Sequence, residues 1–366
     1  MTIPPTDHDG KRGQEPFPGP QTPQNPAGGS ASQEKVPDPF SRCAPLGGAG
    51  RDTIVGLLDY VALLAVLGGL IAYFGLATNH FLSLTTFNMI ASQVPDATIA
   101  AVGMTFVLIV GGIDLSVGSV LALGGGVLAT LMLNAGAPAA VAVVACLAVG
   151  VLCGAVNGLV TVAWRLPSFI VTLGMLEIAR GGAMMALDSR TYYIGQAIEP
   201  IAEARLLGLP LPFVIAAAIV AAGQFVLSRT VFGRQVVAVG SREETARLCG
   251  INVRRTKVIV FALCGLTASL AAVMQVSRAA SANPTAGGGF ELEIIAAVVI
   301  GGTSLLGGRG SVVRSFLGVL IIAVLTGGLA QLGVQDPTKH VITGCVIVAA
   351  VILDYYRQRL KRGGNG

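Results

Sequence analysis

The sequence predicts an all-α, polytopic membrane protein with about ten transmembrane helices. Three observations predict it. Of 366 residues, 53% are hydrophobic and only 12% charged, about half the charged share of a soluble domain. The apolar residues fall in continuous runs near the roughly 20 residues a bilayer-spanning helix needs, not in the short alternating segments of a β-barrel. The chain also carries 49 glycines, and small residues let membrane helices approach closely.

Taken in order, residues 1–50 are rich in Pro, Gly, Gln and Ser. They lack the apolar core of a signal peptide and hold too little apolar surface to fold alone, so a disordered cytoplasmic tail is expected. The membrane domain is expected over residues 51–358, with a cytoplasmic loop at 232–257 and a short cytoplasmic tail at 359–366. Its spans are expected at 54–77, 87–110, 115–134, 138–163, 168–187, 211–229, 256–277, 291–306, 312–333 and 338–356, the 291–306 segment being short enough to be re-entrant. With the N-terminus inside, the inner loops collect Arg229, Arg234, Arg242, Arg247, Arg254, Arg255 and Lys257, among others, and the outer side keeps only Arg190, Arg205, Arg278 and Lys339. The positive-inside rule therefore puts both termini and the 232–257 loop in the cytoplasm. The loop from Asp188 to Pro210 becomes the main external segment, either a solvated connector or a contact for an external partner.

Two glycine breaks interrupt the spans. In the first, Gly111, Gly112 and Asp114 separate two apolar runs, and Asp114 is expected to cap the next helix, satisfying amides that lipid cannot. The second, Gly301 to Ser311 with Gly301 and Gly302 at its head, superficially resembles a phosphate-cradling loop but lacks G-x-x-x-x-G-K-[ST], which occurs nowhere in the chain. Any ATP-driven movement of solute would thus need an ATPase on another polypeptide. Both breaks precede Gly-Ser-Val (Gly118–Val120 and Gly310–Val312), a faint internal repeat whose two copies lie on the same face.

Ionisable residues inside spans are functional candidates by default. Glu177 and Arg180 lie at i, i+3, as an intrahelical pair or as part of a solute pathway. The amides of Asn88, Gln93, Asn157, Gln224 and Gln275 would either join helices or offer donors and acceptors to a polyhydroxylated solute. The six cysteines (43, 146, 153, 249, 264 and 345) include no CxxC pair, so neither a disulfide framework nor a zinc site is expected; Cys146 and Cys153 are expected to pack helices. Three histidines, with no HExxH and no GxSxG, give no basis for metal or nucleophilic chemistry. No catalytic residue and no cofactor is expected.

The block from Phe232 to Lys257 is charged, yet it sits between two long apolar segments. Ser241-Arg242-Glu243-Glu244 fits the S-x-x-E capping box, Gly250 offers a left-handed stop, and Glu243 and Arg247 stand at i, i+4 with the acid first. A two-turn capped helix of this kind is expected to dock a soluble partner.

Met104–Leu123, Leu166–Ala183, Phe232–Val253 and Glu291–Val313 together resemble the permeases of monosaccharide ABC importers, ribose- and xylose-type above all. The broader family also includes branched-chain amino acid permeases. The likeness runs from about residue 55 to 355, and the tail before residue 50 finds no counterpart. It implies a type II ABC importer-like fold in the inner membrane, paired with a second permease copy or a paralogue. It further implies a separate ABC ATPase subunit with two nucleotide sites and an extracytoplasmic sugar-binding protein, with no nucleic acid bound. By the same resemblance, Ser241 to Gly250 corresponds to the coupling helix that sits in the ATPase cleft. The expected function is import of a pentose, hexose or related polyol, with Asn88, Gln93 and Glu177 on the pathway. Two rivals stand beside it: an ion-gradient-driven carrier working through Glu177, and an amino acid permease of the same broad family.

Overall fold

The computed structural model describes residues 49–352 apart from 79, 196, 197, 207, 336, 340, 347, 350 and 351. The expected tails lie outside the described residues, save Ala49 and Gly50 in the first turn of α1 (Ala49–Ala77). The last expected span is described only in part, as helix at 337–339, 341–346 and 348–349.

Among the described residues seven helices are long and apolar enough to cross a membrane: α1, α2 (Leu84–Ile109), α4 (Ala139–Ala163), α5 (Ser168–Ala186), α7 (Leu211–Arg229), α10 (Val253–Ala279) and α12 (Val312–Gln331). Two expected spans are shorter. Helix α3 (Val117–Leu133) has 17 residues and α11 (Phe290–Ile300) has 11, about 25 and 16 Å. The shortness of α11 has a visible cause. Gly124 of α3 packs on Ala272 of α10, whereas Gly287 lies against Gly118, about 9 Å further along α3. The chain leaving α10 therefore turns back along α3 before α11 begins.

Helix α2 forms the centre, with 83% of its spanning window buried, against 6% for α1 at the rim. This central helix is among the less apolar of the spans, and its polar Gln93, Asp96 and Thr105 have protein rather than lipid around them. Helix α4 meets α10 through Gly150, Gly154 and Gly158, whose missing side chains would strike Gly265 O, Phe261 O and the Val258 backbone respectively. This small-xxx-small stripe lets the two backbones touch, so packing replaces the hydrophobic drive that lipid cannot supply. Cys146 donates to Ser269 O at 3.4 Å within the same seam, a packing role as expected.

The segment 188–210 is more structured than a connector. Strand β1 (Tyr192–Tyr193) pairs antiparallel with β4 (Ser281–Ala282), with Tyr192 opposite Ala282. A tight hairpin joins β2 (Arg205–Leu206) to β3 (Leu209–Pro210) after the short helix α6 (Glu199–Glu203). Ile194 and Ile198 are buried beneath it. This cap ties the far ends of α5 and α10 together.

Candidate functional site

The charged block folds as two helices. Helix α8 (Val231–Ser241) starts at Thr230, whose hydroxyl accepts the Gly233 amide at 3.2 Å; α9 (Glu243–Leu248) follows. The expected capping box does not form. Ser241 is the last residue of α8, and its hydroxyl donates back to Val237 O at 2.8 Å. Arg242, in extended backbone, becomes the N-cap of α9 with no side-chain cap. The S-x-x-E pattern marks a helix start only where the preceding chain is not already helical; here α8 uses Ser241 first. Glu244 is exposed.

The other end of α9 matches expectation. Gly250 has φ +78, its amide donates to Arg247 O and the Ile251 amide to Ala246 O, both at 3.0 Å. These are the two bonds of a Schellman stop. Glu243 pairs with Arg247 at 2.5 Å and also with Lys257, in the first turns of α10, at 2.6 Å. Burial by itself would raise the Glu243 carboxyl, but Lys257 and Arg247 together outweigh it and hold the group below its ordinary value. Ala246 is buried and Leu248 is 89% exposed, so α9 rests on one face and presents the other.

Directly before α9, three glycine-rich stretches meet. Helices α2 and α11 end identically. Gly111 (φ +82) donates to Leu108 O and Gly112 to Val107 O; Gly302 (φ +80) donates to Val299 O and Thr303 to Val298 O. The same pair of bonds ends α9 and α12, so this stop is a general helix terminator and lends the faint repeat no support. The Gly308 amide donates to Ile109 O at 2.8 Å. Gly240 of α8 sits against both groups, and a side chain there would collide with Ile109 O and Gly308 N.

Asp114 does not cap α3 itself. It accepts the amide and hydroxyl of Ser116, the N-cap, at 2.9 and 2.6 Å, and Asn157 donates to the same Ser116 hydroxyl at 3.0 Å. The amides of Ile113 and Leu115 go to the hydroxyls of Ser168 and Thr172 on α5. The break is therefore satisfied internally, as irregular backbone at membrane depth must be. On the second break Gln224 accepts from the Ser311 hydroxyl at 3.1 Å and the Val313 amide at 3.3 Å.

Glu177 and Arg180 do not pair. Arg180 donates to Pro284 O and Ala286 O at 2.9 and 2.7 Å, pinning the segment between β4 and α11 to α5. Glu177 stands exposed midway along α5, between Leu173 and Ile178, both more than half exposed. Gln93 and Gln275, by contrast, come together. They line a cavity of about 250 Å³ between α2, α10, α11 and α12, with Asp96, Arg278, Glu293, Phe290 and Thr326. Arg278 and Asp96 form an ion pair there at 2.8 Å. Asn88 does not line it; its carbonyl accepts from Ser92.

The family described as branched-chain amino acid transport system / permease component matches residues 86–351. The chain belongs to this permease family. The permease is 40% identical over 307 residues to the ribose import permease protein of Escherichia coli K12, covering 82% of this chain and 95% of that one. It is 38% identical over 265 residues to the ribose import permease protein of Bacillus subtilis, covering 72% and 82%. To the fructose import permease protein of Rhizobium meliloti it is 34% identical over 312 residues, covering 82% and 86%. No solved structure matches. With seven apolar helices of spanning length among the described residues, it is a multi-pass membrane transport component. Besides Glu243–Lys257, two ion pairs between spans escaped the sequence reading: Asp96–Arg278, and Asp59–Arg314 at 2.8 Å, which ties α1 to α12. The available signal was an acid inside each apolar run, since such a group must find a partner.

Proposed function

We propose that the permease is the membrane-spanning subunit of an ATP-driven importer that carries a monosaccharide (a pentose, a hexose or a related polyol) across the inner membrane. The observation that carries the sugar is the alignment of ribose and fructose import permeases along 72–82% of the chain. The cavity around Gln93 and Gln275 agrees in chemistry. Its amides, carboxylates and guanidinium offer hydroxyl groups both donors and acceptors, and Phe290 offers a ring face.

In this reading residues 51–358 form the transport domain between cytoplasmic tails at 1–50 and 359–366. ATP hydrolysis belongs to a separate ABC ATPase, whose cleft receives α9 through Arg242, Glu243, Glu244 and Arg247, with Ser241 and Gly250 bounding the unit. An extracytoplasmic binding protein delivers the sugar to the opposite face. Closure of the ATPase moves α9, and the contacts at Gly240 pass that displacement to the end of α2 and to the loop joining α11 to α12. A second copy or a paralogue covers the α5 face. A charge at the bilayer centre costs about 3 kcal/mol, and the exposed Glu177 is relieved once that face becomes an interface or an aqueous path. Gln93, in the cavity, and Asn88, outside it on α2, belong to the sugar path in this reading.

The test is uptake of labelled ribose, fructose and leucine into proteoliposomes holding the permease with its ATPase and binding protein. Uptake of a sugar should require ATP and withstand a protonophore. Collapse with the protonophore while ATP is maintained would instead establish an ion-driven carrier. Uptake of leucine without sugar would favour the amino acid reading, which the family description leaves open.

A further inference from the structure

A second cavity, of about 450 Å³, lies where α4 ends and α10 begins, lined by Val162, Arg165, Arg247, Ile251 and Arg254, among others. Three guanidinium-bearing residues thus share one hollow. Arg247 is already held by Glu243, while Arg165 and Arg254 have no ion-pair partner among the described residues. The first turn of the 27-residue helix α10 forms part of the wall, and its N-terminal partial charge adds to the positive potential. An anion belongs there on charge alone.

The surroundings say what kind of anion. Both bounding helices are membrane spans, so the cavity sits at the level where a bilayer meets water. Trp164, next to Arg165, is 69% exposed, and tryptophan favours that level because one end of its ring is apolar and the other wet. Along α4, leading away from Val162, Leu159, Val156 and Leu152 form an exposed apolar strip, at helical spacings that keep them on one face. A soluble anion would use the arginines and leave the strip idle.

We propose that Arg165, Arg247 and Arg254 hold the phosphate headgroup of an anionic phospholipid whose acyl chains lie along Leu159, Val156 and Leu152. The site needs only that the chain spans a membrane; it does not depend on which solute the permease carries. Because Arg247 belongs to α9 and Arg254 to α10, the headgroup bridges the docking helix to the bundle beside the Glu243–Lys257 pair.

Native mass spectrometry of the full-length permease, delipidated and titrated with phosphatidylglycerol or phosphatidylcholine, tests this. Wild type should retain phosphatidylglycerol in preference to phosphatidylcholine. Arg165→Ala/Arg254→Ala should lose that preference by roughly tenfold, each basic residue near an anionic surface adding severalfold to the affinity. Arg165→Lys/Arg254→Lys should keep most of it, which separates loss of charge from loss of fold. Equal retention of phosphatidylglycerol by wild type and the alanine variant would overturn the proposal. So would saturation of the same arginines by inorganic phosphate with lipid retention unchanged, which would make the site one for a free anion. Loss of ATPase association in lipid-free detergent, again with lipid retention unchanged, would assign the arginines to the ATPase instead.

Discussion

Gly240 faces the carbonyl of Ile109 and the amide of Gly308, with no space between them for a methyl group. Both obstructing groups are backbone, so neither can rotate away as a side chain would. Gly240→Ala should therefore cost about 1–3 kcal/mol, the range for overpacking. It should also lower ATP-driven uptake several-fold, because the fault lies between α9, the end of α2 and the loop joining α11 to α12. Gly68→Ala is the control. Nothing stands within 4 Å of that position, and alanine is the better helix former by about 1 kcal/mol. Thermal melting in detergent and uptake by proteoliposomes would be measured on both variants. A Gly240→Ala protein that melts and transports like wild type would show that the junction has slack.

On the scale of single elements, α9 is held by one carboxylate shared between Arg247 and Lys257. The folded Glu243 carboxyl lies below its ordinary value. Its contribution to stability is then fully present above the unfolded carboxyl's pKa and fades as pH falls through the lower, folded one. At neutral pH, Glu243→Gln should expose the α9 amides to faster hydrogen exchange. At a pH below the folded Glu243 value, itself under the roughly 4.3 of an ordinary glutamate, wild type and variant should converge. Exchange rates that differ equally at both pH values would remove the charge from the explanation.

Much at this scale was legible beforehand. The boundaries of α7 were expected at 211–229 and occur at Leu211–Arg229, because Pro210 and the basic Arg229 punctuate an uninterrupted apolar run. Gly250 and the Glu243–Arg247 pair were equally readable, since both depend on residues within one or two turns. The start of α9 was not, because it depends on whether α8 is already helical at Ser241. The partners of Arg180, Asp96 and Asp59 were hidden for a different reason. Pairs such as Asp96 and Arg278 lie 182 residues apart, and nothing local records which spans are neighbours.

Across the whole molecule, two of the exposed apolar faces among the described residues make different demands. The α4 strip contains no acidic or basic residue between Leu152 and Leu159, whereas the α5 face carries Glu177 at mid-span. Lipid satisfies the first but not the second. In a background stripped of other accessible cysteines, Leu173→Cys should therefore form an oxidant-dependent cross-link between two permease copies in the membrane, and Leu152→Cys should not. Absence of a Leu173→Cys dimer would leave that face to lipid or to a different subunit.

Helix α10 runs through all of this as a single bar of 27 residues, about 40 Å long. Lys257 near its beginning grips Glu243 of α9, and β4, just past its end, is stitched to β1 in the opposite cap. A rod clamped at both ends cannot report in one direction only. If tilting it is how an occupant of the α9 face alters the cap, then linkage obliges an occupant of the cap to alter the affinity at α9 by the same factor. The solute-delivering face and the energy-delivering face would then each sense what is bound to the other, before any solute has moved.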